Sequence, residues 1–325
     1  MRVTNDMIHP QLRAAGRLIR WLLPYYKLST FRRSRRLSSL SKVFHSRKYL
    51  SEQIYIDRPN SKQGDPKLRL CIYRPKAPKE NAPGLLWMHG GGFAFGTPEQ
   101  DSDSYRQFIE LTGCTVVAPA YRHSPKAPYP AALEDCYTAL LWLKHNALRC
   151  GLRPDQLMVG GVSAGGGLAA ALAIYARDKG EVAIAFQMPL YPMLDDRMIT
   201  ESSRDNDAPL WNTRSNIAAW TLYLGEIYGS GQVPAYAAPA RLRQAHGLPP
   251  AFTFVGSIEP FRDETVLYFQ MLREAGIEAE CIVYEGCFHA FNKIGRYTTP
   301  GKQANAALLK HFQYAAEHYF APQPD

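Results

Sequence analysis

From about residue 52 onward, short apolar runs alternate with longer segments whose apolar residues recur at helical spacing. The runs IYIDR (54–58), LRLCIY (68–73), GLLWMH (84–89), CTVVAPA (114–120), QLMVGG (156–161), AIAFQMPLY (183–191), AFTFVG (251–256) and ECIVYE (280–285) read as strands. AALEDCYTALLWLKHNALR (131–149), DETVLYFQMLREAG (263–276) and KQANAALLKHFQYAAEHYF (302–320) read as helices. From the third run on, strand and helix alternate, which predicts a mostly parallel α/β sheet of about eight strands with helices on both faces. HPQLRAAGRLIRWLLPYY (9–26) also has helical apolar spacing. No internal repeat is present.

A chain of 325 residues can bury a sizeable core, and 46% hydrophobic with 21% charged residues is ordinary for an enzyme-sized globular protein. The net charge of +9 suggests nucleic-acid binding until it is divided along the chain. Residues 1–50 hold 12 Lys and Arg against the single acid Asp6, whereas residues 51–325 hold 26 basic and 28 acidic side chains. The body is therefore not basic, and no nucleic-acid partner is expected.

No apolar run approaches the roughly 18 residues of a membrane span, and the start MRVTNDMIHPQLRAAG has an acid and no apolar leader core. Cys71, Cys114, Cys136, Cys150, Cys281 and Cys287 show no CxxC spacing, and several sit in apolar runs. Buried thiols in a reducing compartment, hence a cytoplasmic protein, are expected.

Two glycine clusters carry the chemistry. In MVGGVSAGGGLAAALAIYA (158–176), Ser163 stands among five glycines at the junction of the strand QLMVGG and a helix starting near Ala164. In such a GxSxG turn the serine is strained and Gly161 and Gly165 leave room around it, while the helix N-terminus favours developing negative charge. Gly165, Gly167 and Ala170 also match a dinucleotide fingerprint, but no acid ends the next strand to hold a ribose. In the second cluster, His89, Gly90, Gly91, Gly92 and Phe93 directly follow GLLWMH. This HGGG-type loop supplies backbone N–H groups to an oxyanion hole, and no GKS or GKT follows to make it a phosphate loop.

Together with YRHSPKAPYPAALEDC (121–136), PMLDDR (192–197), YAAPAR (236–241) and LPPAFTFVGSIEPFRDE (248–264), these motifs run in order over roughly residues 50–320. The chain resembles the hormone-sensitive-lipase-like family of α/β-hydrolase carboxylesterases. That resemblance implies an α/β-hydrolase fold with a helical cap. The cap would comprise an N-terminal segment (1–50) and an insert at about 195–232 on a catalytic domain of residues 51–325, with Trp211 and Trp220 in the insert. It also implies an oxyanion hole of the amides of Gly91, Gly92 and Ala164, with His89 shaping the loop.

The chain order serine, acid, histidine of this fold leaves His246, His289, His311 and His318 as candidate bases. His246 precedes the last plausible acid, and His311 and His318 fall in the C-terminal helix pattern. His289, in GCFHAF after ECIVYE, would face the serine. Cys287 beside it forms a lone CxH pair, too few ligands for a metal. The acid, by its place in SIEPFRDE, is Glu259, where most of the family carries Asp. Asp263 competes but reads as the first turn of the next helix. Val162 and Lys126 depart from the family pattern, which has acids at both positions.

The implied activity is hydrolysis of short- to medium-chain acyl esters by Ser163, His289 and Glu259, without metal or cofactor. Amidase, deacetylase or lipase action by the same triad, and a non-catalytic ligand-binding role, are the alternatives. The expected partner is a small-molecule ester. A weak peripheral membrane contact is suggested by LIRWLLPYY followed by FRRSRRLSSLSK, and a homodimer is left open.

Overall fold

The computed structural model describes residues 1–26, 49–59, 61–77 and 79–324. Eight strands form one sheet: β1 (Tyr49–Ile56), β2 (Leu68–Pro75), β3 (Ala82–Met88), β4 (Thr115–Pro119), β5 (Leu152–Val162), β6 (Phe186–Leu190), β7 (Ala251–Gly256) and β8 (Ala279–Tyr284). Their spatial order is β1-β2-β4-β3-β5-β6-β7-β8. The pairs β1–β2 and β2–β4 are antiparallel and the rest parallel. This is the mostly parallel sheet that the alternation predicts. The parallel strands β3, β4, β6 and β7 are buried at every residue, because helices cover both faces and leave no solvated side.

Alternation along β3 shows how one strand serves two cores. Leu86 and Met88 point into one, with Leu140, Leu168 and Phe269, while Leu85 and Trp87 point into the other, with Phe108, Phe254 and Phe312. The first core is covered by α3 (Ala131–Asn146), α4 (Ala164–Lys179) and α6 (Arg262–Glu274), and the second by α2 (Ser102–Thr112) and α8 (Thr299–His318). Asn212 caps the helix of the insert, α5 (Thr213–Leu224), by accepting from the Ser215 amide at 3.1 Å.

The N-terminal spacing yields a helix shorter than 9–26: a 3-10 turn (Pro10–Leu12) and then α1 (Arg13–Leu22). Pro24 sets the stop, since the residue before a proline is pushed out of the helical region and Leu23 already lies at φ −137°, ψ 72°. Val3, Ile8 and Leu12 of this arm are buried in the second core with Phe288 and Phe291. The cationic stretch FRRSRRLSSLSK, on which the membrane expectation rests, lies outside the described residues. Among the described residues, no helix is long and apolar enough to cross a membrane.

Candidate active site

β5 ends at Val162, α4 begins at Ala164, and Ser163 between them holds φ 58°, ψ −122°. That left-handed geometry is costly for a side chain with a Cβ and marks stored strain. The sharp reversal also brings the start of α4 against the end of β3. A Cβ on Gly165 would lie 2.2 Å from the Met88 carbonyl oxygen and 2.4 Å from that of His89, and one on Gly161 would lie 2.4 Å from the Gly165 oxygen. Both glycines are therefore steric requirements of the turn.

β7 and β8 are neighbours in the sheet and end on the same side as β5, so the loops that follow them meet Ser163. His289 lies after β8, with Nε2 2.8 Å from Ser163 Oγ and Nδ1 2.5 Å from Glu259 Oε2. Glu259 follows β7, is fully buried, and its Oε1 accepts from the Gly256 amide at 2.8 Å. An ionised carboxylate can only accept, so Nδ1 carries the proton and Nε2 is left to receive the serine's. Tyr191 and Phe261 present their rings edge-on to the imidazole at 5.1 Å each, which fixes its plane.

The competing groups lie elsewhere. Asp263 sits in the first turn of α6, accepting from the Ser202 amide at 2.8 Å and paired with Arg262. Burial works to raise its pKa, but the Arg262 guanidinium and Ser202 outweigh that and hold the carboxyl below the usual range. His246 is exposed, His311 stacks on Phe252, and His318 stacks on Tyr314. Burial pushes the Cys287 thiol up to about 12.

Gly90, Gly91 and Gly92 line one cavity with Ser163 and His289. Gly91 holds φ +130°, and a Cβ there would fall 2.0 Å from the Phe95 oxygen, so the loop can fold back over Ser163 only with glycine. The next residue after the glycines, Phe93, is buried and stacked on Tyr223 of α5 at 3.8 Å, which pins the loop to the insert. Among the described residues, none of the amides of Gly91, Gly92 and Ala164 donates to a turn or loop carbonyl.

His89 is buried beneath this loop, its Nδ1 2.8 Å from the Gly90 oxygen and its ring stacked on Tyr121 at 4.2 Å. Burial lowers its pKa to about 4, so the imidazole is neutral near pH 7. Tyr121 Oη donates to the His89 oxygen at 2.7 Å, and Arg122 pairs with the buried Asp135. The YRHSP…D segment is therefore a brace for the glycine loop, a role its letters alone do not reveal. Tyr121→Phe is expected to lower stability by about 1–3 kcal/mol, because the phenol hydroxyl and the carbonyl it serves are both buried. Urea unfolding measures this, and a change below about 0.3 kcal/mol would remove the brace from the account.

The cavity above Ser163 has a volume of about 180 Å³. Tyr26, Phe95 and Trp211 wall it, the Tyr26 ring lying 5.6 Å from each of the other two. The Tyr26 amide is fixed to Ser215 Oγ at 2.9 Å. Sequence reasoning missed Tyr26 and Phe95 as wall residues, since an aromatic in an amphipathic stretch looks the same whether it meets core or cavity. Val162 also lines this cavity, whereas Lys126 is exposed on a separate groove of about 1220 Å³ behind the glycine loop, which contains none of Ser163, Glu259 and His289.

Known proteins of similar sequence are named as esterases. Esterase LipI of Mycobacterium tuberculosis is 36% identical over 63% of this chain and 65% of its own length. Carboxylesterase NlhH of the same species is 32% identical over 64% of this chain and 66% of its own. The chain thus spans 65 to 66% of the length of these curated relatives. Among solved structures, a bacterial heroin esterase is similar with a TM-score of 0.87 and 32% identity, over 97% of this chain and 99% of that one. The model of the alpha/beta hydrolase fold family matches residues 85–293, from within the strand that feeds the glycine loop to just past His289. With the sheet order and the serine turn after β5 in agreement with that match, the chain belongs to the alpha/beta hydrolase fold family, as the resemblance of its motifs implied.

Proposed function

We propose that this protein is a serine carboxylesterase acting on short- to medium-chain acyl esters of small alcohols. The observation that carries the reading is the continuous relay from Ser163 Oγ through His289 to buried Glu259, at 2.8 and 2.5 Å. The relatives named as esterases support it.

In the proposed mechanism Ser163 Oγ attacks the ester carbonyl carbon while His289 Nε2 takes its proton. The carbonyl oxygen becomes an oxyanion facing the amides of Gly91, Gly92 and Ala164, each such donor being worth roughly 100- to 1000-fold in rate. Collapse breaks the bond to the alcohol, which leaves with the proton from His289. Water then attacks the acyl carbon, gives a proton to the same nitrogen, and the acid departs as Ser163 is reprotonated. Glu259 orients the imidazole and balances its charge while it is protonated.

The small aromatic cavity supports a preference for short acyl groups, and Tyr26 supports a capping role for the described part of the N-terminal segment. The free, mostly buried thiols support a reducing, cytoplasmic setting. A burst of nitrophenol from p-nitrophenyl acetate, followed by steady turnover, tests the reaction. Over a chain-length series, acetyl to hexanoyl esters are expected to turn over faster than long-chain triglycerides. Higher specificity for long chains at an oil interface would make the protein a lipase instead.

A further inference from the structure

Asp101 is an ionisable group with no part in the relay, yet its side chain is wholly buried. It ends the 3-10 turn Pro98–Asp101 that follows the glycine loop, next to Gln100, whose Nε2 donates to the Gly90 oxygen at 3.3 Å. One carboxylate oxygen accepts from Trp87 Nε1 at 3.0 Å, and the other pairs with Lys293 Nζ. Trp87 lies on β3 two residues before His89. Lys293 lies in α7 (Phe291–Ile294), four residues after His289, and lines the cavity with the three loop glycines. The pair therefore ties the base loop to the glycine loop, joining residues 192 apart in sequence.

We propose that Lys293 is a positioning residue that acts through Asp101: its ammonium neutralises that buried carboxylate, so that no uncompensated negative charge stands behind the wall of the Ser163 cavity that Lys293 lines. The inference rests on the esterase reading above. An unpaired buried carboxylate would oppose the negative charge that grows on the substrate oxygen, because the interior screens charges poorly. Both charges reach the site. Burial is the main cause of the low His89 pKa, and the Lys293 charge adds to it. Burial likewise raises the Tyr191 and Tyr121 hydroxyls, and the Asp101 charge adds to that in both.

The test measures kcat and KM of the full chain on p-nitrophenyl acetate, together with phosphonate labelling of Ser163. Lys293→Met is expected to lower kcat on the order of 10- to 100-fold, with KM changed less than about threefold. Lys293→Arg, which keeps the charge, and Asp101→Asn/Lys293→Met, which removes both charges, are each expected to stay within about fivefold of wild type. A simple loss of packing would not be rescued by removing the second charge. Lys293→Met within fivefold of wild type, or a double variant no better than the single one, overturns the proposal. Should Lys293→Met fail to fold, the other two decide it: both within fivefold of wild type supports the neutralising role, and a larger loss in either overturns it. Wild-type protein that neither turns over the ester nor is labelled overturns the esterase reading, and the neutralising role with it. Active wild type with an unaffected Lys293→Met overturns the neutralising role alone.

Discussion

Ser163→Ala is expected to abolish ester turnover, with a loss of about a millionfold in kcat of the kind seen when a nucleophile of this type is removed. It should also abolish covalent labelling by an organophosphonate, which in the unmodified protein should fall once, on the peptide holding Ser163. The fold should persist. Alanine has a Cβ like serine, so the strain at φ 58° is neither relieved nor increased, and the substitution chiefly removes the hydroxyl's hydrogen bond to His289 Nε2. Intact-protein mass spectrometry reads the label, and a thermal melt within a few degrees of wild type reads the fold. Labelling that persists in the alanine variant would place the nucleophile elsewhere.

Glu259→Gln carries the second large effect. A glutamine can still accept from the Gly256 amide, but it brings no charge, and its amide nitrogen can present a donor to His289 Nδ1. The imidazole would then carry its proton on Nε2, where it cannot accept one from Ser163. Neutralising a triad acid in this way costs about 10,000-fold in kcat in another serine hydrolase. Asp263→Asn should leave kcat near wild type and act on stability, because that carboxylate holds the Ser202 amide and Arg262 rather than the imidazole. Steady-state kinetics on both variants decide between the two carboxylates. If Asp263→Asn proved the more damaging to turnover, Glu259 would lose its role.

Much of this site is legible in the chain because its parts are local. The turn at Ser163 needs glycines two residues on either side, since Gly161, Gly165 and the end of β3 crowd within a van der Waals contact of one another. The glycine loop likewise needs Gly91 for its own backbone conformation, and both patterns are therefore visible in the letters. His289 and Glu259 could be chosen because the fold's chain order and the strand ends just before them limit the candidates. The strand positions were legible for the same reason: strands are short apolar runs, and the runs overlap all of β1–β8, with β1 extended by five residues and β5 by four at the start.

Tertiary structure decided what depends on chain segments far apart in sequence. No pattern near residue 26 marks Tyr26 as a wall of the cavity, because its neighbours Phe95 and Trp211 are brought to it by the sheet and the insert. The YRHSP segment has the same letters whether or not its tyrosine stacks on His89, and that contact exists because β3 and β4 lie side by side. Nothing in the letters around Asp101 and Lys293, 192 residues apart, marks them as partners. Burial of the carboxylate makes them a pair, and burial is set by the whole fold: local spacing dictates backbone geometry, while desolvation and charge pairing depend on what the rest of the chain packs around a group.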